Sequence, residues 1–236
     1  MQGRGGSPLL RPRIAARPRI ALIIDDIGYS IPRARQFLSL NIPITFSILP
    51  RVPYSRDLAV EISDHGHEVM LHQPMQPYDS SLDPGPGALY EGDDPSRISG
   101  IIEENISGVP LAIGVNNHMG SRFTECQREI HQALKVIKNN DLFFIDSRTS
   151  NNSKAFKTAR NLHLTTDRRN VFLDTVRNES TILYRLHQLK RCARRYGHAI
   201  GIGHPFPETA RAIEYFLRDL PASDISFVHI SKVMYS

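Results

Sequence analysis

Short apolar runs alternate with segments of helical period along most of the chain, and polar residues gather where the apolar runs end. Ile20–Ile24 is apolar without alternation, as in a strand covered on both faces, and it closes on two carboxylates, Asp25 and Asp26. Residues 43–49, His67–His72, Leu111–Val115, Leu142–Asp146, Leu162–Thr165, His198–Gly203 and Ile225–Ile230 read as further strands. Helical period fills the intervals. One helix runs from Ser30, with Pro32 in its first turn, to about Leu40, and others span Ser55–Asp64 and Pro95 to about Ile106. Thr124 is placed to cap a helix ending at Lys138, and Ser153–Arg160 and Glu208–Leu217 are two more. Asn178–Tyr196 carries Ile182, Leu183, Leu186, Leu189 and Ala193 on one side. Gln73–Asp94 is rich in Pro, Gly, Asp and Ser and has no period, the pattern of a long functional loop. Seven or eight β-α units without a domain break predict a single α/β domain with a closed or nearly closed parallel barrel.

Composition adjusts this picture only slightly. A chain of 236 residues with 40% hydrophobic and 22% charged residues suits one large globular unit over residues 19–236. Residues 1–18 are Pro- and Arg-rich and read as a flexible tail. The net charge of +5 is concentrated there and at Lys190, Arg191, Arg194 and Arg195, a solvated helix face, without the module that nucleic-acid binding would need. Cys126 and Cys192 fall inside expected helices with no paired spacing, so no disulfide is indicated. No run reaches the roughly 18 apolar residues of a membrane span, and the first 18 residues lack a signal-peptide core. The expected compartment is the cytoplasm, or the periplasm or exterior if an export segment precedes this sequence. The oligomeric state is not readable.

Chemistry is expected at one rim, because a parallel barrel collects the carboxyl ends of its strands there. Asp25 and Asp26 end the first strand, with Gly28 allowing a tight turn, and alternation would send them to opposite sides. One can then bind a metal while the other accepts a proton. His72 ends the third strand. His118 follows another, flanked by Asn-Asn and Gly-Ser as in a turn. His204 sits in Gly201-Ile-Gly-His-Pro205, where small residues permit close approach and an imidazole can protonate a leaving group. Asp146, ending Phe143-Phe-Ile-Asp146, can orient that imidazole or support a metal ligand, and it can equally cap a turn with Ser147 and Thr149 nearby. Each residue alone also has an ordinary structural use; their recurrence at strand ends is the signal. The other seven histidines have no comparable setting.

These motifs carry a resemblance. Asp25-Asp26, His72 and Gly-Ile-Gly-His204 are similar to motifs of the polysaccharide deacetylase superfamily of carbohydrate esterases. Ile24-Asp-Asp-Ile-Gly28, Met70-Leu-His-Gln-Pro-Met75, Asn117-His-Met-Gly-Ser121, Arg169-Asn-Val-Phe-Leu-Asp174 and Gly201-Ile-Gly-His-Pro205 together resemble its divergent branch, in order over residues 19–234. The resemblance implies an irregular (β/α) barrel of about seven strands and a metal-dependent deacetylase of acetylated carbohydrate. By position, Asp25 would be the general base, Asp26 and His72 metal ligands, His204 the general acid and Asp146 a supporting carboxylate. Two motifs depart from the superfamily pattern. Gln76 stands where a second ligand histidine is usual, so His118 is expected as third ligand to a divalent ion, zinc by preference. Asn116-Asn-His-Met replaces the usual Arg-x-Pro-Tyr. The alternative is a catalytically degenerate glycan-binding or cell-envelope interaction protein on the same fold. A metal-dependent amidohydrolase is disfavoured because no His-x-His pair occurs on the first strand.

Overall fold

The structure, a computed structural model, describes residues 17–221 and 224–235; the expected tail lies outside them except for Arg17 and Pro18. Its strands are β1 (Arg19–Ile27), β2 (Thr45–Ile48), β3 (Glu68–Met75), β4 (Ala112–Met119), β5 (Phe143–Asp146), β6 (Thr166–Arg168), β7 (Val171–Phe172), β8 (His198–Gly203) and β9 (Ser226–Phe227). The helices are α1 (Ile31–Leu38), α2 (Ser55–Asp64), α3 (Pro95–Gly108), α4 (Gln127–Asn139), α5 (Ala155–Asn161), α6 (Glu179–Tyr196), α7 (Pro207–Arg218) and α8 (Ser231–Met234). One parallel sheet curls in the order β6-β5-β4-β3-β2-β1-β8-β7, with β9 beside β1, which makes an incomplete (β/α) barrel. Of its nine strands, the two-residue β7 is the one with no counterpart among the apolar runs read as strands.

Strand β1 shows why the apolar runs lack alternation. Ile20, Leu22 and Ile24 pack outward against the helices, whereas Ala21 and Ile23 face inward with Met70, Phe143, Ile200 and Ile202. Both faces are dry, so both need apolar side chains. Ile230 and Val233, leading into and within α8, join the inner cluster and plug the amino-terminal end of the barrel.

Local chemistry sets the helix ends. Asp94 caps α3 by accepting from the Ser96 and Arg97 N–H groups ahead of Pro95. Asn178 caps α6 through the Thr181 N–H, and Gly197, with φ of 85°, ends it. Ser30 occupies the first cap position of α1, but its side chain makes no cap bond.

Several expected boundaries move. Thr124 lies in a short 3-10 turn, Phe123–Glu125, and its hydroxyl donates back to the Gly120 carbonyl, so α4 starts only at Gln127, after Cys126. Residues 162–165 are taken by the turn that ends α5, where the Leu162 and Leu164 N–H groups bond Ala159, and the strand begins at Thr166. Most of Ile225–Ile230 leaves the sheet to reach α8, so only Ser226 and Phe227 pair. The aperiodic Gln73–Asp94 segment is ordered, and β3 claims its first three residues. Gln73 and Asn105 side chains clamp the Gly87 carbonyl, and a Cβ at Gly87 would stand 2.4 Å from the Asn105 side chain.

The sheet does not close between β6 and β7. β6 pairs with β5 and β7 with β8, and only Arg169 and Asn170 cross between them, bonding the Asp146 and Ile200 carbonyls. This seam lies beside the rim described next.

Candidate metal centre and its acid-base groups

The two carboxylates do not alternate as expected. Asp26 has a φ of 57°, and the β1–β2 register shifts between Ile24 and Ile27. This bulge turns both side chains toward one histidine: His72 Nε2 lies 3.6 Å from Asp25 Oδ2 and 3.3 Å from Asp26 Oδ1. They differ in depth, with side-chain exposures of 3% and 31%. Gly28, with φ of 130°, completes the bend, where a Cβ would meet Val52 at 2.4 Å.

His118 is part of β4, not of a turn. The strand runs on through Asn116, Asn117 and His118, and its polar stretch reflects the site it enters. Register places His72 beside Asn116 across β3–β4. Asn116 Nδ2 donates to Asp25 Oδ1 at 2.8 Å, so its Oδ1 is the acceptor facing His72 Nδ1 at 2.7 Å. His72 therefore carries its proton on Nδ1 and turns the Nε2 lone pair inward. Ser47 donates its hydroxyl to the same Asn116 oxygen.

Asp26 Oδ1, His72 Nε2 and His118 Nδ1 thus face one point. Their separations are 3.3 Å for Asp26–His72, 2.9 Å for Asp26–His118 and 3.2 Å for His72–His118. Tetrahedral zinc, with bonds of about 2.0–2.1 Å, requires ligand atoms roughly 3.3–3.4 Å apart. Asp26 Oδ1 is buried without a well-aligned hydrogen-bond donor, although two ring nitrogens approach it. Converging ligand atoms around a buried, unsatisfied oxygen fit a divalent cation, and these three are the one such group among the described residues.

Electrostatics separate the two aspartates. Burial pushes the Asp25 carboxyl above its ordinary value, against the pull of His72 and His204. Burial acts on Asp26 in the same direction, but the close approach of His118 and His72 outweighs it and holds that carboxyl well below the carboxylate range. One remains a strong ligand, and the other is suited to take a proton.

His204 comes to the same rim from β8, with Nε2 3.8 Å from Asp26 Oδ2. Its partner is Asp174, which accepts from Nδ1 at 2.9 Å and from the His204 N–H at 2.6 Å, and is itself held by the Thr209 hydroxyl at 2.7 Å. Burial would lower the imidazole pKa, but Asp174 first, then Asp26 and Asp25, raise it to about 9. Phe172 stacks on the ring at 5.2 Å.

Asp146 does not join this cluster. One carboxylate oxygen accepts from the Arg148 N–H, the other from the Ser153 hydroxyl and the Phe156 N–H, so it closes the turn after β5, and Asp174 holds the place expected for it beside His204. Gln76 also lies outside; its side-chain oxygen accepts from the Glu91 N–H and fixes the long loop. The sequence reading missed Asn116 and Asp174. Register carried the signal for Asp174, since Phe172 pairs with Ile202 and two residues further along each strand stand Asp174 and His204.

The chain is similar to known proteins. The chain is 33% identical over 216 residues to the uncharacterized protein YibQ of Escherichia coli K12, covering 92% of this chain and 67% of that one. The crystal structure of the uncharacterized protein ATU2773 from Agrobacterium tumefaciens superposes with a TM-score of 0.87 at 26% identity, over 93% of this chain and 90% of that one. Two more distant structures share the fold. One is the catalytic domain of a peptidoglycan N-acetylglucosamine deacetylase from Eubacterium rectale, with TM-score 0.58, 12% identity and 93% and 90% coverage. The other is a mutant of BA3943, a CE4 family pseudoenzyme, with TM-score 0.54, 14% identity and 93% and 68% coverage. The family model for divergent polysaccharide deacetylase matches residues 22–234, and the chain belongs to that family.

Proposed function

We propose that the protein is a metal-dependent hydrolase that removes acetyl groups from a carbohydrate. The observation that carries this reading is the convergence of Asp26, His72 and His118 on one point, with Asp25 and Asp174-held His204 beside it. A zinc ion held by those three residues would supply Lewis acidity toward the acetyl carbonyl and a water of lowered pKa. Asp25, fixed through Oδ1 by Asn116, keeps Oδ2 free to accept the proton of the attacking water. As the carbon–nitrogen or carbon–oxygen bond breaks, His204 Nε2 donates a proton to the departing amine or hydroxyl, and acetate is released. Asp174 holds the Nδ1–H and so keeps the reacting proton on Nε2.

Acetate release from acetylated oligosaccharides by zinc-loaded protein tests this. Asp25→Asn should lower the rate by about 10²–10⁴ without loss of zinc. A second reading, a glycan-binding protein without turnover, draws on the pseudoenzyme that shares the fold and on Gln76 standing outside the cluster. Binding without acetate release from any member of the panel would select it.

A further inference from the structure

The open seam between β6 and β7 holds a cavity of about 620 Å³ lined by Arg148, Arg169, Arg185, Asn170, Thr149 and Phe172 among others, with no carboxylate in its wall. None of its three guanidinium groups has a carboxylate oxygen within 4.0 Å among the described residues, although Asp146 and Asp25 act on Arg169 from further away. Arg169 is spent on neutral acceptors, donating to the Ser147 carbonyl at 2.6 Å and the Arg148 carbonyl at 2.9 Å. Burial, and then the like charge of Arg148, pull its pKa down to about 10 against the opposing pull of Asp146 and Asp25. Arg185 donates through Nη1 to Gln188, whereas its Nε is buried with no partner at all. A buried, unpaired donor among crowded cations is costly unless something negative visits.

The cavity adjoins the metal centre. Phe172 lies in its wall and stacks on His204, and the Arg169 guanidinium sits 4.5 Å over the same ring. Thr149 Oγ1 reaches the carbonyl of Met119, the residue after His118. On the other side of His204, Arg177 lies 3.8 Å over Phe206, so cations flank the approach from both directions.

We propose that the seam cavity binds an anionic group, carboxylate or phosphate, carried by the glycan, so that the substrate is an acidic saccharide whose charge sits one residue from the acetyl group. The metal centre's place in the substrate rests on the deacetylase reading; the anion cradle does not. Arginine suits this task because its planar fork meets a carboxylate or phosphate through two donors.

Calorimetric titration of zinc-loaded and chelated protein with trigalacturonate, with its neutral methyl ester, and with phosphorylated and plain maltotriose tests the proposal. The expected result is binding of a charged member of one pair and at least tenfold weaker binding of its neutral counterpart, retained after chelation and weakened by salt. Arg148→Gln and Arg185→Gln should each weaken the anion about ten- to a hundredfold with the fold intact by thermal melting. Which pair discriminates tells carboxylate from phosphate. Equal affinity for charged and neutral members, no binding of either charged probe, binding lost with the metal, or unchanged affinity in folded arginine variants would each overturn the proposal. Acetate release separates the readings: charge-selective binding without acetate removes the deacetylase and leaves the cradle. Equal release from charged and neutral acetylated substrates does the reverse.

Discussion

Two carboxylates sit at opposite ends of the same barrel and have opposite lives. At the amino-terminal end, Glu68 accepts from the Ser231 N–H at 3.1 Å, from the Ser231 hydroxyl, and from Thr45 at 3.3 Å, while Thr45 in turn accepts from the Ile230 N–H. Every bond serves to hold α8 in place. At the carboxyl-terminal rim, Asp26 Oδ1 is buried and unsatisfied, held in a left-handed backbone by a bulge and faced by two imidazole nitrogens. A saturated polar group is architecture, whereas one left open inside a folded protein is reserved for a ligand.

Substitution at the two ends should break the protein in different ways. At the rim, His118→Ala should take bound zinc from about one ion per chain toward none, because two ligands and a water hold the metal far more weakly than three protein ligands. Metal analysis reads this directly, and full zinc content in the variant would remove His118 from the ligand set. Asp174→Asn should leave zinc in place and lower kcat by about 10²-fold or more, with the basic limb of the pH–rate profile moved to lower pH, since the carboxylate is what keeps His204 protonated. An unchanged pH profile would leave Asp174 with a packing role only.

The same pair gives a stability signature. His204 is raised to about 9 in the folded protein from about 6.5 unfolded, so its contribution is complete below pH 6.5 and vanishes as pH climbs through 9. The difference in melting free energy between chelated wild type and His204→Gln should shrink over that window by at most about 3 kcal/mol. A flat difference would deny the imidazole its folded-state charge. At the closed end, Glu68→Ala strands the Ser231 N–H and the Thr45 hydroxyl, and should cost about 1–3 kcal/mol, or roughly 2–4 °C of Tm per kcal/mol, while zinc content and acetate release stay at wild-type levels.

What the sequence disclosed follows from which interactions are local. The run Ile20–Ile24 is buried on both faces, so β1 and the carboxylates that end it could be read from residue type alone. His72 and His204 were visible for the same reason, each at or just past the end of an apolar strand. His118 reads as lying just past a strand, with a turn as the alternative, because polar residues on a strand imitate one; only the register with β3 shows that Asn116 is there to hold His72. Asp146 takes in the sequence the place that Asp174 holds in the structure because both close apolar segments. What separates them is pairing: Asp146 meets donors within ten residues of itself, whereas Asp174 meets a histidine 30 positions away. Local pattern carries no such information. The seam was equally hidden, since two short strands joined by Arg169 and Asn170 look like a turn until the sheet is seen to part there.

The bent backbone at Asp26 has a further meaning for the history of such proteins. Aspartate adopts that conformation more readily than most residues with a Cβ, and glycine adopts it freely. On the deacetylase reading, a descendant that no longer needed the metal could put glycine at this bend without backbone strain. Decay of the chemistry is downhill for the scaffold, and inert barrels should arise from working ones with ease, keeping their shape while losing their reaction.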